Sequence, residues 1–241
     1  TARMQSPYVR EHQEDREISA WFLLDLSGSM DFGSKNQTKR QVMMNFVGVM
    51  AKLLMKRGNR IGALILNPAE TDGFRHIPAR MGRRHLLHVL HVLETSPQTQ
   101  EAHQTSLNEW MSRANGLLKR RATVFVLSDF MGDFNWASEL SALGRRHDTV
   151  AARLFDPAEM NLPNAGLMLL QDSETSEQLL LDTTHAKFRN KYAELVQVRE
   201  QQLATCFAQA GVDALELSTE DDLASALLQF SELRKRRVWR A

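Results

Sequence analysis

Three short segments of this chain carry oxygen-bearing side chains at points where the sequence pattern changes. Asp25-Leu26-Ser27-Gly28-Ser29 and Ser128-Asp129 each follow an apolar run, and between them Thr105 precedes a helical pattern. Hard oxygen donors with no His or Cys nearby suit Mg²⁺ or Mn²⁺, and also Ca²⁺, far better than Zn²⁺ or Cu²⁺. We therefore predict a divalent-metal site, with Mg²⁺ as the expected ion, whose ligands are Asp25, Ser27, Ser29, Thr105 and Asp129.

The elements that must position these side chains alternate regularly along the first two thirds of the chain. Near-continuous apolar runs at 18–24, 60–66, 123–127 and 149–154 predict buried strands, and a short run at 74–77 predicts an edge strand. Helical periodicity appears between the buried strands, at 38–57, 84–93, 107–118 and 136–143. Strands connected by helices predict a doubly wound α/β fold with a mostly parallel sheet and helices on both faces. Ligands of such sheets bind beyond the carboxyl ends of the strands, where the first and last of the three segments lie.

The last third of the chain departs from this rhythm. Two apolar runs around a polar turn predict an inserted β-hairpin near 167–181. A long helix at 185–210, a strand at 214–217 and a final helix at 221–235 complete the pattern. We assign one domain to residues 18–241, preceded by an N-terminal segment at 1–17.

Composition excludes several classes of protein. With 43% hydrophobic and 24% charged residues, the chain is typical of a globular domain. Thirty basic residues against 29 acidic ones leave a net charge of +1, which gives no general attraction to nucleic acid or membrane. Cys206 is the sole cysteine, so the chain forms no internal disulfide, and no apolar run approaches the roughly 20 residues of a membrane span. We expect a cytoplasmic protein without membrane insertion.

The first and last segments allow two other interpretations. Asp and Ser commonly cap helices, so both segments could serve that purpose alone. A Mg²⁺-dependent hydrolase of the haloacid dehalogenase type also places an Asp after the first strand, but its catalysis needs a second Asp where Ser27 stands. No phosphate-binding glycine motif follows a strand. We therefore predict a binding module and no enzymatic activity.

The metal segments resemble a known site. Asp25-Leu26-Ser27-Gly28-Ser29 is similar to the D-x-S-x-S of the metal-ion-dependent adhesion site in von Willebrand factor A domains, and Thr105 and Asp129 match its second and third loops. The bacterial Domain of Unknown Function 58 family resembles the chain more closely, through Tyr8-Val9-Arg10-Glu11, Glu14-Asp15-Arg16-Glu17, Asp25 to Met30, Phe32-Gly33-Ser34, Thr38-Lys39 and Asp156-Pro157-Ala158-Glu159. Thr1-Ala2-Arg3 resembles the end of an upstream segment of that family, so we expect a longer protein.

The resemblance implies a function. Members of this family look like A-domain proteins encoded beside MoxR-type AAA+ ATPases, with which they are thought to act in assembly, maturation or stress responses. The resemblance further implies that the metal binds an Asp or Glu of a partner protein, and that this partner is a MoxR-type ATPase. Phe130, Phe134 and Trp136 flank the last metal segment, and we predict that they form an apolar rim around the site.

Overall fold

The structure is a computed structural model that describes residues 19–97, 106–171 and 178–238. The N-terminal segment 1–17 and Thr105 therefore lie outside the described residues. The strands are β1 Ser19–Asp25, β2 Arg60–Leu66, β3 Phe74–Arg80, β4 Thr123–Ser128, β5 Asp148–Phe155, β6 Leu167–Gln171, β7 Gln178–Asp182 and β8 Asp213–Ser218. The helices are α1 Lys39–Lys56, α2 Arg83–Thr95, α3 Leu107–Leu117, α4 Ala137–Arg146, α5 Pro157–Met160, α6 Ala186–Ala210 and α7 Leu223–Val238.

Six strands form one sheet in the order β3-β2-β1-β4-β5-β8. All neighbours are parallel except β3, which lies antiparallel to β2 at one edge. This confirms the doubly wound, mostly parallel fold. Leu24 of β1 pairs with Leu127 of β4, so the residues that follow, Asp25 and Ser128, lie side by side at the carboxyl edge of the sheet.

The two faces of the sheet carry separate cores because alternate side chains of a strand point in opposite directions. Phe22 and Leu24 pack with α1, α2 and α7, whereas Leu23 between them packs with α3, α4 and α6. Trp110 and Trp136 are fully buried on the second face. Strands covered on both sides explain why the central runs of the sequence are almost entirely apolar.

Helix α1 begins at the same edge of the sheet as the predicted metal site. Thr38 caps it, because the Thr38 side chain accepts from Gln41 N and the Gln41 side chain accepts from Thr38 N. The helix is followed by Gly58, whose φ of 80° suits the left-handed turn into β2. The first residue of α1 is Lys39, which is thereby fixed close to the ends of β1 and β4.

The hairpin predicted near 167–181 is present as a separate antiparallel pair of β6 and β7. Helix α6 spans 25 residues, but its buried residues, Leu203, Phe207 and Ala210, all lie towards its C-terminus. The sequence did not predict α5, a single turn that Pro157 begins and Asp156 caps. Within the described ranges, no helix is long and apolar enough to cross a membrane.

Candidate metal centre

The first predicted segment folds back on itself at the end of β1. Asp25 is 1% exposed, and its Oδ1 accepts a hydrogen bond from Ser27 N at 2.9 Å. A 3₁₀ turn at Gly28–Asp31 then brings Ser29 round, so that the Ser27 and Ser29 hydroxyl oxygens lie 3.2 Å apart. The D-x-S-x-S spacing thus places one carboxylate and two hydroxyls within one short turn.

The segment after β4 is tied to the first one. Ser128 Oγ donates to Asp25 Oδ2 at 2.6 Å, and Asp129 is 5% exposed. Burial, and then the negative charge of Asp129, raise the pKa of Asp25 to about 6, although hydrogen bonds from Ser128 and Ser27 lower it. Two buried carboxylates therefore repel each other here, and a divalent cation would relieve that repulsion.

The donor set fits a hard cation. Each oxygen of Asp25 accepts a hydrogen bond from a neutral group and keeps a further lone pair. Across 19–97, 106–171 and 178–238, no group of three or more His, Cys, Asp or Glu could hold a metal ion. A metal at this edge would therefore depend on hydroxyl ligands beside its two acids, and the predicted ligand set stays a prediction. Thr105, outside the described residues, stays a prediction; Ser106 next to it caps α3.

Helix capping, the simpler alternative, does not account for these residues. Ser27 precedes the 3₁₀ turn but makes no side-chain cap bond to it. The residue that precedes the next helical turn after Asp129 is Asp133, four positions later. Asp25 and Asp129 are thus buried acids at strand ends, and neither occupies the cap position of a helix.

A buried lysine, which the sequence analysis did not single out as a site residue, lies against the second acid. Lys39 Nζ is 2.8 Å from Asp129 Oδ2 and 2.7 Å from Glu159 Oε1, and its side chain is fully buried. Burial opposes its charge, but the two carboxylates outweigh that cost and raise the pKa of Lys39. A cation in the first turn of a helix opposes the helix dipole, so Lys39 at the start of α1 is slightly unfavourable on its own, but this weak signal does not identify its partners.

A third buried acid, Asp156, holds the backbone around Glu159. Asp156 Oδ2 accepts from Ser34 N at 2.8 Å and from Thr219 Oγ1 at 2.6 Å, while Oδ1 accepts from Ala158 N at 2.8 Å. Burial opposes its ionisation, but these hydrogen bonds lower the pKa of Asp156 to about 2. Its own N–H donates to Glu159 Oε2. Asp156 thus connects the loop after β1 with the ends of β5 and β8.

The predicted apolar rim differs from the observed one. Phe130 and Trp136 are fully buried against Phe207 of α6, and Phe134 is half-buried beneath the guanidinium of Arg199. The prediction is thus wrong for Phe130 and Trp136, because the space between α4 and α6 takes these rings into the core. Two apolar side chains near the metal segments are exposed instead, Phe32 at 43% and Met131 at 46%.

Comparison with known proteins identifies the family. The sequence model of the family described as "Protein of unknown function DUF58" matches residues 1–202. The chain belongs to this family. An uncharacterized protein of Mycobacterium tuberculosis is 31% identical to this DUF58 protein over 238 residues, which cover 98% of the chain and 73% of that relative.

Two solved structures share the fold of this DUF58 protein. BatB from Bacteroides thetaiotaomicron is 11% identical, with a TM-score of 0.57 over 90% of this chain and 98% of that one. An aerotolerance-related membrane protein from Bacteroides fragilis is 9% identical, with a TM-score of 0.57 over 90% of this chain and 99% of the other. At these identities the likeness concerns the fold alone. Both structures share the α/β fold with a mostly parallel sheet that was predicted for this DUF58 protein.

The raised pKa of Asp25 predicts that metal binding depends on pH. With a pKa of about 6, Asp25 is mostly protonated at pH 5 in the metal-free protein, and the ion must displace that proton. We expect the affinity for Mg²⁺ to be about tenfold weaker at pH 5 than at pH 7.5. Calorimetric titration at both pH values measures this. Equal affinities at the two pH values would mean that Mg²⁺ does not displace a proton from Asp25.

Proposed function

We propose that this DUF58 protein is a metal-dependent protein-binding module, a use for which its von Willebrand factor A-like fold is suited. The observation that supports the proposal most strongly is the pair of buried acids, Asp25 and Asp129, beside the paired hydroxyls of Ser27 and Ser29. These four residues, with Thr105, would hold Mg²⁺, with Mn²⁺ or Ca²⁺ as the other candidates. When bound, the ion supplies a positive centre for a carboxylate oxygen of the partner.

The proposed site combines charged carboxylate ligands with neutral hydroxyl ligands. Asp25 supplies a charged oxygen, which Ser27 N and Ser128 Oγ hold in a fixed orientation. Because hydroxyl ligands are neutral, they leave most of the charge of the ion available to an incoming carboxylate. An Asp or Glu of the partner is therefore the natural complement of this edge.

Phe32 and Met131 would add the apolar contact area that one coordinate bond lacks. Each follows a metal segment closely, and each exposes more than two fifths of its surface. We expect Phe32→Ala and Met131→Ala each to weaken partner binding by roughly three- to tenfold without changing Mg²⁺ affinity. Met81→Ala is the matched control, since Met81 is 49% exposed. It follows β3, whose last residue pairs with Ile61 at the amino-terminal end of β2, away from the predicted metal site. An equal loss in the Met81 variant would contradict a local rim.

Following the family resemblance, we propose a MoxR-type AAA+ ATPase as the partner. Pull-down of that ATPase by the full-length protein, with Mg²⁺ and with EDTA, tests this directly. We expect EDTA and Asp25→Ala each to abolish recovery, while circular dichroism shows a folded protein. Asp133→Ala is the control, because Asp133 is an exposed acid of the same β4–α4 connection and makes no side-chain cap bond. Equal recovery with and without EDTA would mean that this ATPase binds elsewhere.

The alternative, a phosphatase of the haloacid dehalogenase type, has less support. Its general acid would stand at Ser27, whose hydroxyl lies beside that of Ser29 and carries no charge. We therefore propose that the metal binds a partner without hydrolysis. Metal-dependent phosphatase turnover that disappears in Asp129→Ala would establish the enzyme instead.

A further inference from the structure

The two acids of the proposed metal site differ in their partners. Among the described residues, Asp25 interacts with neutral hydrogen-bonding groups, namely Ser27 N, Ser128 Oγ and the Ser27 side chain. Asp129 accepts from Met131 N at one oxygen and from the Lys39 ammonium at the other. A charge-assisted bond of this kind is roughly twice as strong as a neutral one. Asp129 is thus the acid that already has a cation of its own.

We propose that Lys39 is a resident counter-cation of this site: it holds Asp129 and thereby limits how strongly that acid binds the metal ion. This inference rests on the proposed function and concerns the regulation of the same site. An ion that receives less charge from Asp129 keeps more for the carboxylate of a partner. Lys39 would therefore weaken the binding of the free ion and favour the complex of ion and partner.

Two carboxylates hold the ammonium of Lys39, and further hydrogen bonds hold the backbones of Lys39 and Glu159. Lys39 N donates to Phe32 O at 2.9 Å, which anchors its backbone beside the loop after β1. Glu159 Oε1 accepts from Nζ at 2.7 Å, and Tyr192 donates to the backbone carbonyl of Glu159 at 2.7 Å. The side chain has no exposed surface, so it cannot rotate into water when an ion arrives. Metal and ammonium must therefore share Asp129.

The charges of the group are consistent with such sharing. Ionised Asp25, Asp129 and Glu159 together with Lys39 carry three negative charges and one positive, a net of −2, which a divalent cation neutralises. Without Lys39 the net charge would be −3, and both the attraction for the ion and the freedom of Asp129 to approach it would rise. Removal of Lys39 should therefore raise the metal affinity in two ways, through the net charge and through the release of Asp129, and only the second requires the Asp129 carboxylate.

Calorimetric Mg²⁺ titration of the full chain at pH 7.5 tests the proposal through a double-mutant cycle. We expect Lys39→Met to bind Mg²⁺ at least tenfold more tightly than wild type in an otherwise native protein. In an Asp129→Asn background, Lys39→Met still removes a positive charge, so its gain in affinity should remain but be at least threefold smaller. Lys35→Met is the matched control, since Lys35 is 64% exposed and pairs with Glu220; it should change nothing.

A second variant protects the test against misfolding of Lys39→Met. Glu159→Gln keeps an oxygen that can accept from Asp156 N. It removes the second carboxylate from the ammonium of Lys39, which then pairs with Asp129 alone. We therefore expect Mg²⁺ to bind this variant at least threefold more weakly. That change too should be smaller with Asp129→Asn, because only the loss of one negative charge then remains. Unchanged Mg²⁺ affinity in Lys39→Met would overturn the role of Lys39; if that variant misfolds, unchanged affinity in Glu159→Gln would do so. Equal changes in affinity with Asp129 and with Asn at position 129 would overturn it as well. Mg²⁺ binding by neither wild type nor any variant would overturn the proposed function as well.

Discussion

Asp25→Asn is expected to abolish Mg²⁺ binding and, in the presence of a chelator, to stabilise the protein. The pKa of Asp25 rises from 3.8 in the unfolded chain to about 6 in the folded one. The folded state therefore binds the proton more tightly, and the stability present below pH 4 is lost as the pH rises through 6. At pH 7.5 the ionised carboxylate costs about 3 kcal/mol of folding free energy, of which asparagine should recover about 1–3 kcal/mol.

Asparagine is a close replacement for this acid. Its Oδ1 can still accept from Ser27 N, and the Ser128 hydroxyl can rotate to accept from the new amide. Thermal unfolding in EDTA and in millimolar Mg²⁺ measures both effects. Wild type should gain stability from Mg²⁺, and Asp25→Asn should not. Asp133→Asn, in the exposed loop after β4, is the control and should behave like wild type. A Mg²⁺-induced shift in Asp25→Asn equal to that of wild type would show that Asp25 is not a ligand.

Asp156→Ala is expected to destabilise the protein by about 3–5 kcal/mol. Alanine removes the acceptor for three donors, Ser34 N, Ala158 N and Thr219 Oγ1, in a place without exposed surface. The loop after β1, which follows Ser27 and Ser29, would lose its link to β5 and β8. We therefore expect the variant to have both a lower free energy of unfolding and a lower affinity for Mg²⁺. Urea unfolding gives the free energy, provided that the dependence on urea concentration is unchanged.

The hairpin offers a matched control for this variant. Asp182 also accepts from a backbone N–H and a hydroxyl, both of Thr184, but these bonds lie in contact with water. Because water can replace the lost partner, Asp182→Ala should leave the urea midpoint nearly unchanged. Equal losses in the two variants would mean that the Asp156 network contributes no more than a surface turn.

The sequence predicts the repeating part of this fold well. Burial on both faces of β1, β2, β4 and β5 leaves unbroken apolar runs, and these place each strand to within about one residue. β3 extends to Arg80, beyond the predicted end at 77, because an edge strand alternates with polar residues and lacks such a run. α5 was missed since four residues are too few for a helical period.

The sequence predicts only those residues of the candidate site that directly follow a strand. Asp25 and Asp129 are found from the sequence because parallel neighbouring strands bring their carboxyl ends together. The contacts of Lys39 join positions 90 and 120 residues apart, which periodicity does not reveal. Phe130 and Trp136 were misplaced for a related reason: an aromatic residue after a strand can turn towards solvent or the core. The space beside α6 that receives them depends on tertiary packing.

Diffraction from crystals of the protein soaked in Mn²⁺, recorded with anomalous scattering of manganese, tests the central claim most directly. We expect an anomalous peak at the carboxyl edge of β1 and β4, with oxygens of Asp25, Ser27 and Ser29 at about 2.0–2.3 Å. The peak should be absent from Asp25→Asn crystals soaked in the same way. A wild-type crystal with no peak at this edge, or with Mn²⁺ bound only elsewhere on the protein, would contradict the account.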